Sequence, residues 1–184
     1  DRSVQAAYPP GSPFKLLTAL AGYQMKVISD STKFTCRHGY RMGRHTIGCH
    51  CGTYWPIGME KAIEKSCNNY FSSVFYKITE KYGPKGRNRA IDEWKEIMNS
   101  FGLGEFMNND LAVGAKGKIP SGEFYTKRLG EKWHPYESAI FNGMGQGDVL
   151  LTPLQMANFT AAIVNKGWYF TPHIVRSIDG KPNP

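Results

Sequence analysis

Ser12-Pro13-Phe14-Lys15 places a hydroxyl and an amine three residues apart. On a helix, positions i and i+3 share a face, so the Lys15 amine reaches the Ser12 hydroxyl. A serine is a weak nucleophile until a base takes its proton. A lysine serves as that base if burial lowers its pKa. Ser66-Cys67-Asn68 offers a second hydroxyl, suited to relaying a proton, and an amide able to hold a carbonyl and the lysine. Each pattern alone is weak, because about one Ser-x-x-Lys arises by chance at this composition. A capping serine beside a surface lysine, and two polar residues on a helix flank, are the plainer readings of the same residues.

Four cysteines, Cys36, Cys49, Cys51 and Cys67, fall in one short stretch of an otherwise cysteine-free chain. Such clustering argues for one shared site. Four thiolates suit tetrahedral zinc. A Cys36–Cys49 or Cys36–Cys51 disulfide is the alternative, whereas Cys49–Cys51 would be strained. His38, His45 and His50 lie among the cysteines as substitute ligands. His134 and His173 read as structural or surface residues.

The elements that must position these groups follow from caps and periodicity. Tyr8-Pro-Pro-Gly11 is a turn, and Pro13 suits a helix start, so a mostly buried helix is expected from about Pro13 to Ala21. Residues from Ile28 to Tyr54 read as a long irregular segment stapled by the cysteines. Helices are expected over Pro56–Lys65 and Asn68–Tyr82, with Ser66-Cys67-Asn68 able to continue one into the other. A third runs over Arg89–Phe101, with Gly102 as its cap. Gly102 to Pro135 reads as loop with short extended pieces, Ala139–Phe141 as a strand, and Gly143-Met-Gly-Gln-Gly147 as a flexible turn. Thr152 caps a strong helix to about Asn165. Trp168–Phe170 and His173–Ser177 read as strands, so sheet is expected only near the end, and Asp179–Pro184 is turn-rich.

The 184 residues carry 23 Lys plus Arg against 15 Asp plus Glu, a net +8, with 41% hydrophobic residues. That composition excludes intrinsic disorder, and 20 Gly with 11 Pro exclude a coiled coil. No apolar run approaches the ~20 residues of a membrane span, and no signal peptide opens the chain. The basic balance favours anionic partners, but no block of five basic residues exists, so nucleic acid is not an expected partner.

Three segments in order carry a resemblance. Tyr-Pro-Pro-Gly-Ser12-x-Phe-Lys15, Ser66-x-Asn68-x-Tyr-Phe71 and Gly-Gln-Gly147…Thr-Pro-Leu-Gln-Met-Ala157 resemble the class B penicillin-binding proteins, in particular the cell-elongation transpeptidases, from about Ala7 to Val175. The resemblance implies an α+β fold of the transpeptidase and serine β-lactamase kind, a helical cluster on an antiparallel sheet. It implies peptidoglycan D,D-transpeptidation through a serine acyl-enzyme, with β-lactams as trapping mimics. Ser12 would be the nucleophile, with its N–H an oxyanion donor. Lys15 would be the base, and Ser66 and Asn68 the second motif, Ser12 and Asn68 also binding substrate. No catalytic cofactor is implied.

Some members carry a metal beside the second motif, so the resemblance also suggests a structural zinc on Cys36, Cys49, Cys51 and Cys67. The implied partners are stem peptides, the lipid-linked precursor, and a wall-elongation glycosyltransferase with its scaffold proteins. The implied setting is the periplasmic side of an inner-membrane-anchored bacterial protein. Pro13 stands where the family usually has Thr. The family's third motif, Lys-Thr-Gly, is matched by neither Lys116-Gly117 nor Lys166-Gly167. Residues 1–184 are therefore expected to be a partial transpeptidase domain cut before that motif, and a poor enzyme alone. Rival expectations are a class D-like β-lactamase or β-lactam sensor, a basic zinc-stabilised binding module without catalysis, and a scaffold subunit of a wall-synthesis complex that has lost activity.

Overall fold

The computed structural model describes residues 1–52, 55–107, 110 and 113–182. Tyr54, part of the loop expected over Gly102–Pro135, and Asn183-Pro184 lie outside the described residues. Seven α-helices follow in chain order among the described residues: α1 (Arg2–Gln5), α2 (Lys15–Gln24), α3 (Met59–Glu64), α4 (Asn68–Thr79), α5 (Arg87–Ser100), α6 (Gly122–Leu129) and α7 (Pro153–Val164). The short strands are β1 (Phe34–Thr35), β2 (Gly39–Met42), β3 (His45–Gly48), β4 (Pro56–Ile57), β5 (Ser177–Ile178) and β6 (Lys181–Pro182). They form three antiparallel pairs, β1–β4, β2–β3 and β5–β6. No described helix is long and apolar enough to cross a membrane. The chain divides into two compact units, residues 9–97 with 120–149, and residues 1–8 with 98–119 and 150–184.

In the first unit, α2 and α4 form the centre. Phe14, Leu17, Phe71, Val74, Phe75, Ile78 and Trp94 are fully buried there. The Trp94 ring meets Phe75 edge-on at 5.1 Å and Phe14 at 6.4 Å, the arrangement aromatic quadrupoles favour. A 3-10 helix, Ala139–Met144, lies on α4. Gly143 permits this, since a Cβ there would come within 2.6 Å of Phe75 Cβ. The strand expected at Ala139–Phe141 is thus corrected. A short apolar run carries no period of its own, and this one is buried as a helical turn.

The expected irregular segment contains order. β1 pairs with β4 in the register Phe34↔Ile57, closing the segment at its base. Within it β2 and β3 form a hairpin, with Met42 opposite His45 and Gly43-Arg44 as the turn. Gly43 has φ +57, which a two-residue hairpin turn demands. Tyr40 of β2 reaches Tyr136 (rings 6.1 Å apart), and Tyr136 packs on Tyr76 of α4 at 5.3 Å. The hairpin is thereby held against α4.

Helix α6 was not expected in a segment read as loop. Ser121 caps it by accepting from Phe124 N–H, and Lys127 and Arg128 suit its C-terminal end. Beyond Gly122, only Tyr125 is buried, so almost no apolar periodicity announces it.

The second unit centres on α7. Thr152 and Gln155 form a reciprocal capping box, as the Thr-Pro start suggests. Gln155 also donates towards the carbonyls of Gly102 (3.2 Å) and Lys116 (3.0 Å), pinning the preceding loop. Gly102 (φ +76) ends α5 as expected, with Leu103 N–H returning to Met98 O. Lys118 and Tyr8 bridge to Leu150 and Leu151. The strands expected at Trp168–Phe170 and His173–Ser177 do not form. Pairing starts instead at Ser177, around Asp179-Gly180, whose positive φ values make the tight hairpin turn.

Candidate active site

The candidate site lies within the first unit. Gly11 (φ +68) turns the chain into a 3-10 turn, Ser12–Phe14, that runs into α2. The expected helix therefore begins in the tighter form. Ser12 is exposed, and its N–H has no acceptor among the described residues. Lys15 opens α2 and is only 4% exposed. Its Nζ lies 3.2 Å from Ser12 Oγ, 2.8 Å from Ser66 Oγ, 2.7 Å from Ser66 O and 2.7 Å from Asn68 Oδ1. The two hydroxyls are 3.1 Å apart.

These distances define how a neutral amine would sit. The carbonyl of Ser66 and the amide oxygen of Asn68 can only accept, so they take two N–H bonds. The remaining lone pair is left for a hydroxyl proton. Burial pushes the Lys15 amine below its ordinary pKa, and Cys49, Cys67 and Cys51 pull the other way. The outcome is a lowered value, which suits a base.

Ser66 does not continue a helix from α3 into α4. Ser66 N–H bonds Ile63 O and Cys67 N–H bonds Ala62 O, the paired bonds of a left-handed helix cap. Glycine is the usual residue there, yet Ser66 holds it at φ +48. A non-glycine residue in that conformation costs about 1–2 kcal/mol. The strain turns the Ser66 hydroxyl towards Ser12 and Lys15, and strain of this kind gathers at functional sites. Asn68, the first residue of α4, spends its amide nitrogen on Gly48 O at 2.9 Å. It therefore ties the end of β3 to Lys15.

Below the nucleophile turn lies a shelf from far along the chain. Gly11 N–H donates to Gly145 O at 2.7 Å, and Thr18 Oγ1 donates to Gly143 O at 3.0 Å. The segment expected as a flexible turn is fixed. Buried Asn142 donates to Tyr125 Oη (2.7 Å) and accepts from Asp148 N–H (3.1 Å). Asp148 accepts from Ser138 Oγ (2.6 Å) and Tyr125 Oη (3.2 Å) and pairs with Arg128. Sequence reasoning missed Asp148, Asn142 and Tyr125. The one available signal was an acid placed between Gly147 and an apolar run.

All four cysteines are buried and none forms a disulfide, and their sulfurs lie within 4.8 Å of one another. Neither disulfide that the spacing left open forms. The Cys49 and Cys67 sulfurs are 3.7 Å apart. A tetrahedron with Zn–S bonds of about 2.3 Å has edges of about 3.8 Å, so the four sulfurs fit a zinc ion. Burial pushes the Cys36 thiol up to about 12 and raises that of Cys67 as well. His38, His45 and His50 are exposed and stand outside the set. His134 accepts from Tyr136 N–H as a cap, and His173 sits in an exposed loop.

The family model described as "Penicillin binding protein transpeptidase domain" matches residues 1–184. The peptidoglycan D,D-transpeptidase MrdA of Acinetobacter baumannii is 32% identical over 98% of this chain and 25% of its own length. MrdA of Escherichia coli K12 is 28% identical over the whole chain and 28% of its own length. The chain thus spans about a quarter of these curated relatives. Among solved structures, Pseudomonas aeruginosa PBP2 in complex with WCK 5153 superposes with a TM-score of 0.83 at 30% identity, over 100% of this chain and 40% of that one. Helicobacter pylori PBP2 in complex with MreC gives 0.77 at 25% identity, over 99% and 31%. With its motifs in order and the family model matched end to end, the chain belongs to the penicillin-binding protein transpeptidase domain family.

Proposed function

We propose that this chain carries the nucleophile half of a peptidoglycan D,D-transpeptidase site. The observation that carries the reading is one buried amine within 3.2 Å of Ser12 Oγ, Ser66 Oγ and Asn68 Oδ1. Ser12 Oγ attacks the carbonyl of the penultimate D-Ala of a stem peptide while Lys15 takes its proton. The Ser12 N–H, which has no acceptor among the described residues, is offered to the oxyanion. The proton passes through Ser66 to the departing D-Ala nitrogen as the C–N bond breaks. An amine from a second stem peptide then attacks the ester, restoring the serine and forming the cross-link. A β-lactam acylates the same serine. Asn68 holds Lys15 through its oxygen, and the second N–H of its amide, the first being given to Gly48 O, orients the substrate carbonyl.

The thiol tetrad fits structural zinc, held by Cys36, Cys49, Cys51 and Cys67. Bound there, zinc would tie the loop to Cys67, which lies between Ser66 and Asn68, and so fix the second motif. No catalytic cofactor is indicated. The names of the relatives support peptidoglycan cross-linking as the setting, and wall elongation is the form of it that the motifs suggest. MreC accompanies the Helicobacter protein, and a further neighbour (TM-score 0.80) belongs to a peptidoglycan synthase complex. A glycosyltransferase and scaffold partner, and a position outside the inner membrane where peptidoglycan lies, complete the reading.

The test is labelling of the natively encoded protein with a fluorescent penicillin, followed by peptide mapping. Stable label on Ser12, absent in Ser12→Ala, is the expected result. Label elsewhere, or none, overturns the reading. Rapid loss of the label would mark a β-lactamase instead.

A further inference from the structure

Residues 31–59 contain no Asp or Glu. They hold Lys33, Arg37, Arg41 and Arg44, a net +4, which is half of the net +8 of the whole chain. All four side chains are exposed, and none makes an ion pair among the described residues. Several basic residues elsewhere do have acid partners, Lys61 with Glu64, Lys81 with Glu93 and Lys127 with Glu123, whereas no acid lies within this stretch. This stretch is uncompensated, with Arg41 and Arg44 together at the tip of the β2–β3 hairpin, where Arg41 Nε rests on Gly43 O.

The hairpin is part of the wall of the site. The carbonyl of Gly48, the last residue of β3, is held by Asn68, and Asn68 is held by Lys15. Strands rise about 3.4 Å per residue, so Arg44 stands roughly 14 Å along the strand from Gly48. An extended peptide with its reacting end at Ser12 covers that span in about four residues. Unpaired arginine forks match carboxylates in shape and charge.

We propose that the β2–β3 hairpin, through Arg41 and Arg44, is a subsite for carboxylates upstream of the D-Ala-D-Ala end of the peptide substrate. The proposal rests on the transpeptidase reading above. It makes the hairpin a determinant of which stem peptides the site accepts. The competing role for the same charges is to offset a negative thiolate–metal cluster, and the two roles have different consequences.

The experiment compares Arg41→Glu/Arg44→Glu with the parent in the natively encoded protein. The substrates are two synthetic peptides ending in D-Ala-D-Ala, one with free upstream carboxylates and one with them amidated. Zinc content, melting temperature and penicillin labelling are measured alongside. The expected result is a loss of about tenfold in kcat/KM, carried by KM, for the free-carboxylate peptide only. That loss fades in 0.5 M salt, where screening shortens to roughly 4 Å. Zinc, melting and labelling stay at parent levels. Equal losses on both peptides overturn the proposal, and so does a loss of zinc or of labelling. A parent protein that labels with penicillin yet ignores peptide charge refutes the subsite alone. A parent that does not label refutes the transpeptidase reading first, and the subsite with it.

Discussion

Substituting Gly145 by Ala tests whether the shelf sets the nucleophile. The new Cβ would lie 2.2 Å from Gly11 O and 2.6 Å from Phe14 Cβ. Ordinary contact begins at 3.4 Å, so the two segments must part by about 1 Å. That movement lengthens the 2.7 Å bond from Gly11 N–H to Gly145 O beyond hydrogen-bonding range. The backbone adds its own penalty, because φ is +69 and alanine pays about 1–2 kcal/mol there. With about 1–3 kcal/mol for overpacking, the destabilisation is ~2–5 kcal/mol. Gly11 directly precedes Ser12, and a displacement of about 1 Å in a reacting group costs roughly 100-fold in rate. The assay is the second-order rate of fluorescent-penicillin acylation beside a thermal melt. Gly180→Ala is the control: its φ is +76 in the β5–β6 turn, and a Cβ there meets nothing within 4 Å. It should show a backbone penalty and a normal rate. The reasoning is refuted if Gly145→Ala acylates within twofold of the parent and melts no lower than Gly180→Ala.

Acylation should rise tenfold per pH unit while Lys15 loses its proton, then level off. Because burial lowers that pKa, the inflection in a pH–rate profile should fall below the ordinary lysine value, and one above it would contradict the role of Lys15 as base. Ser66→Gly should be more stable than Ser66→Ala by about 1 kcal/mol, since glycine relieves the left-handed strain, while both lose acylation. Denaturant melts with labelling separate the two effects. Asp148→Asn should cost ~1.5–3 kcal/mol and slow acylation, because an amide donor would face Ser138, Tyr125 and Arg128, all donors to Asp148. Chelation should release one zinc per chain, expose four reactive thiols and lower the melting temperature; metal analysis and thiol titration check all three.

Local rules made much of the fold and part of the site readable. The spacing of Ser12 and Lys15 is a helical neighbourhood, and Thr152 with Gln155 and the Gly102 cap are short-range chemistry. The cysteines announced a shared site by clustering, but the choice of all four over a disulfide depended on how the loop folds Cys36 back towards Cys67. Other features carry no local mark. Ser66 looks like a helix residue, and only the return of Cys67 N–H to Ala62 O fixes it left-handed. Helix α6 has one buried large side chain and so no stripe to read. Asp148 acquires its meaning from Tyr125, Ser138 and Arg128, each ten or more residues away.

The shelf beneath Ser12 also has a consequence in time. Thr18 and Gly143 are 125 residues apart, and the chain is made from the serine end first. Ser12 and Lys15 are therefore synthesised early but lack their floor until the segment around Gly145 emerges. Contacts of such separation form late, after a costly loop closure. A nascent chain that stops before Gly143 would carry the nucleophile and its base without the geometry to use them. Reactivity of Ser12 towards penicillin would then report the arrival of this shelf, which makes labelling of a nested set of chains stalled on either side of Gly145 a clock for when the Ser12–Lys15 pair gains its floor.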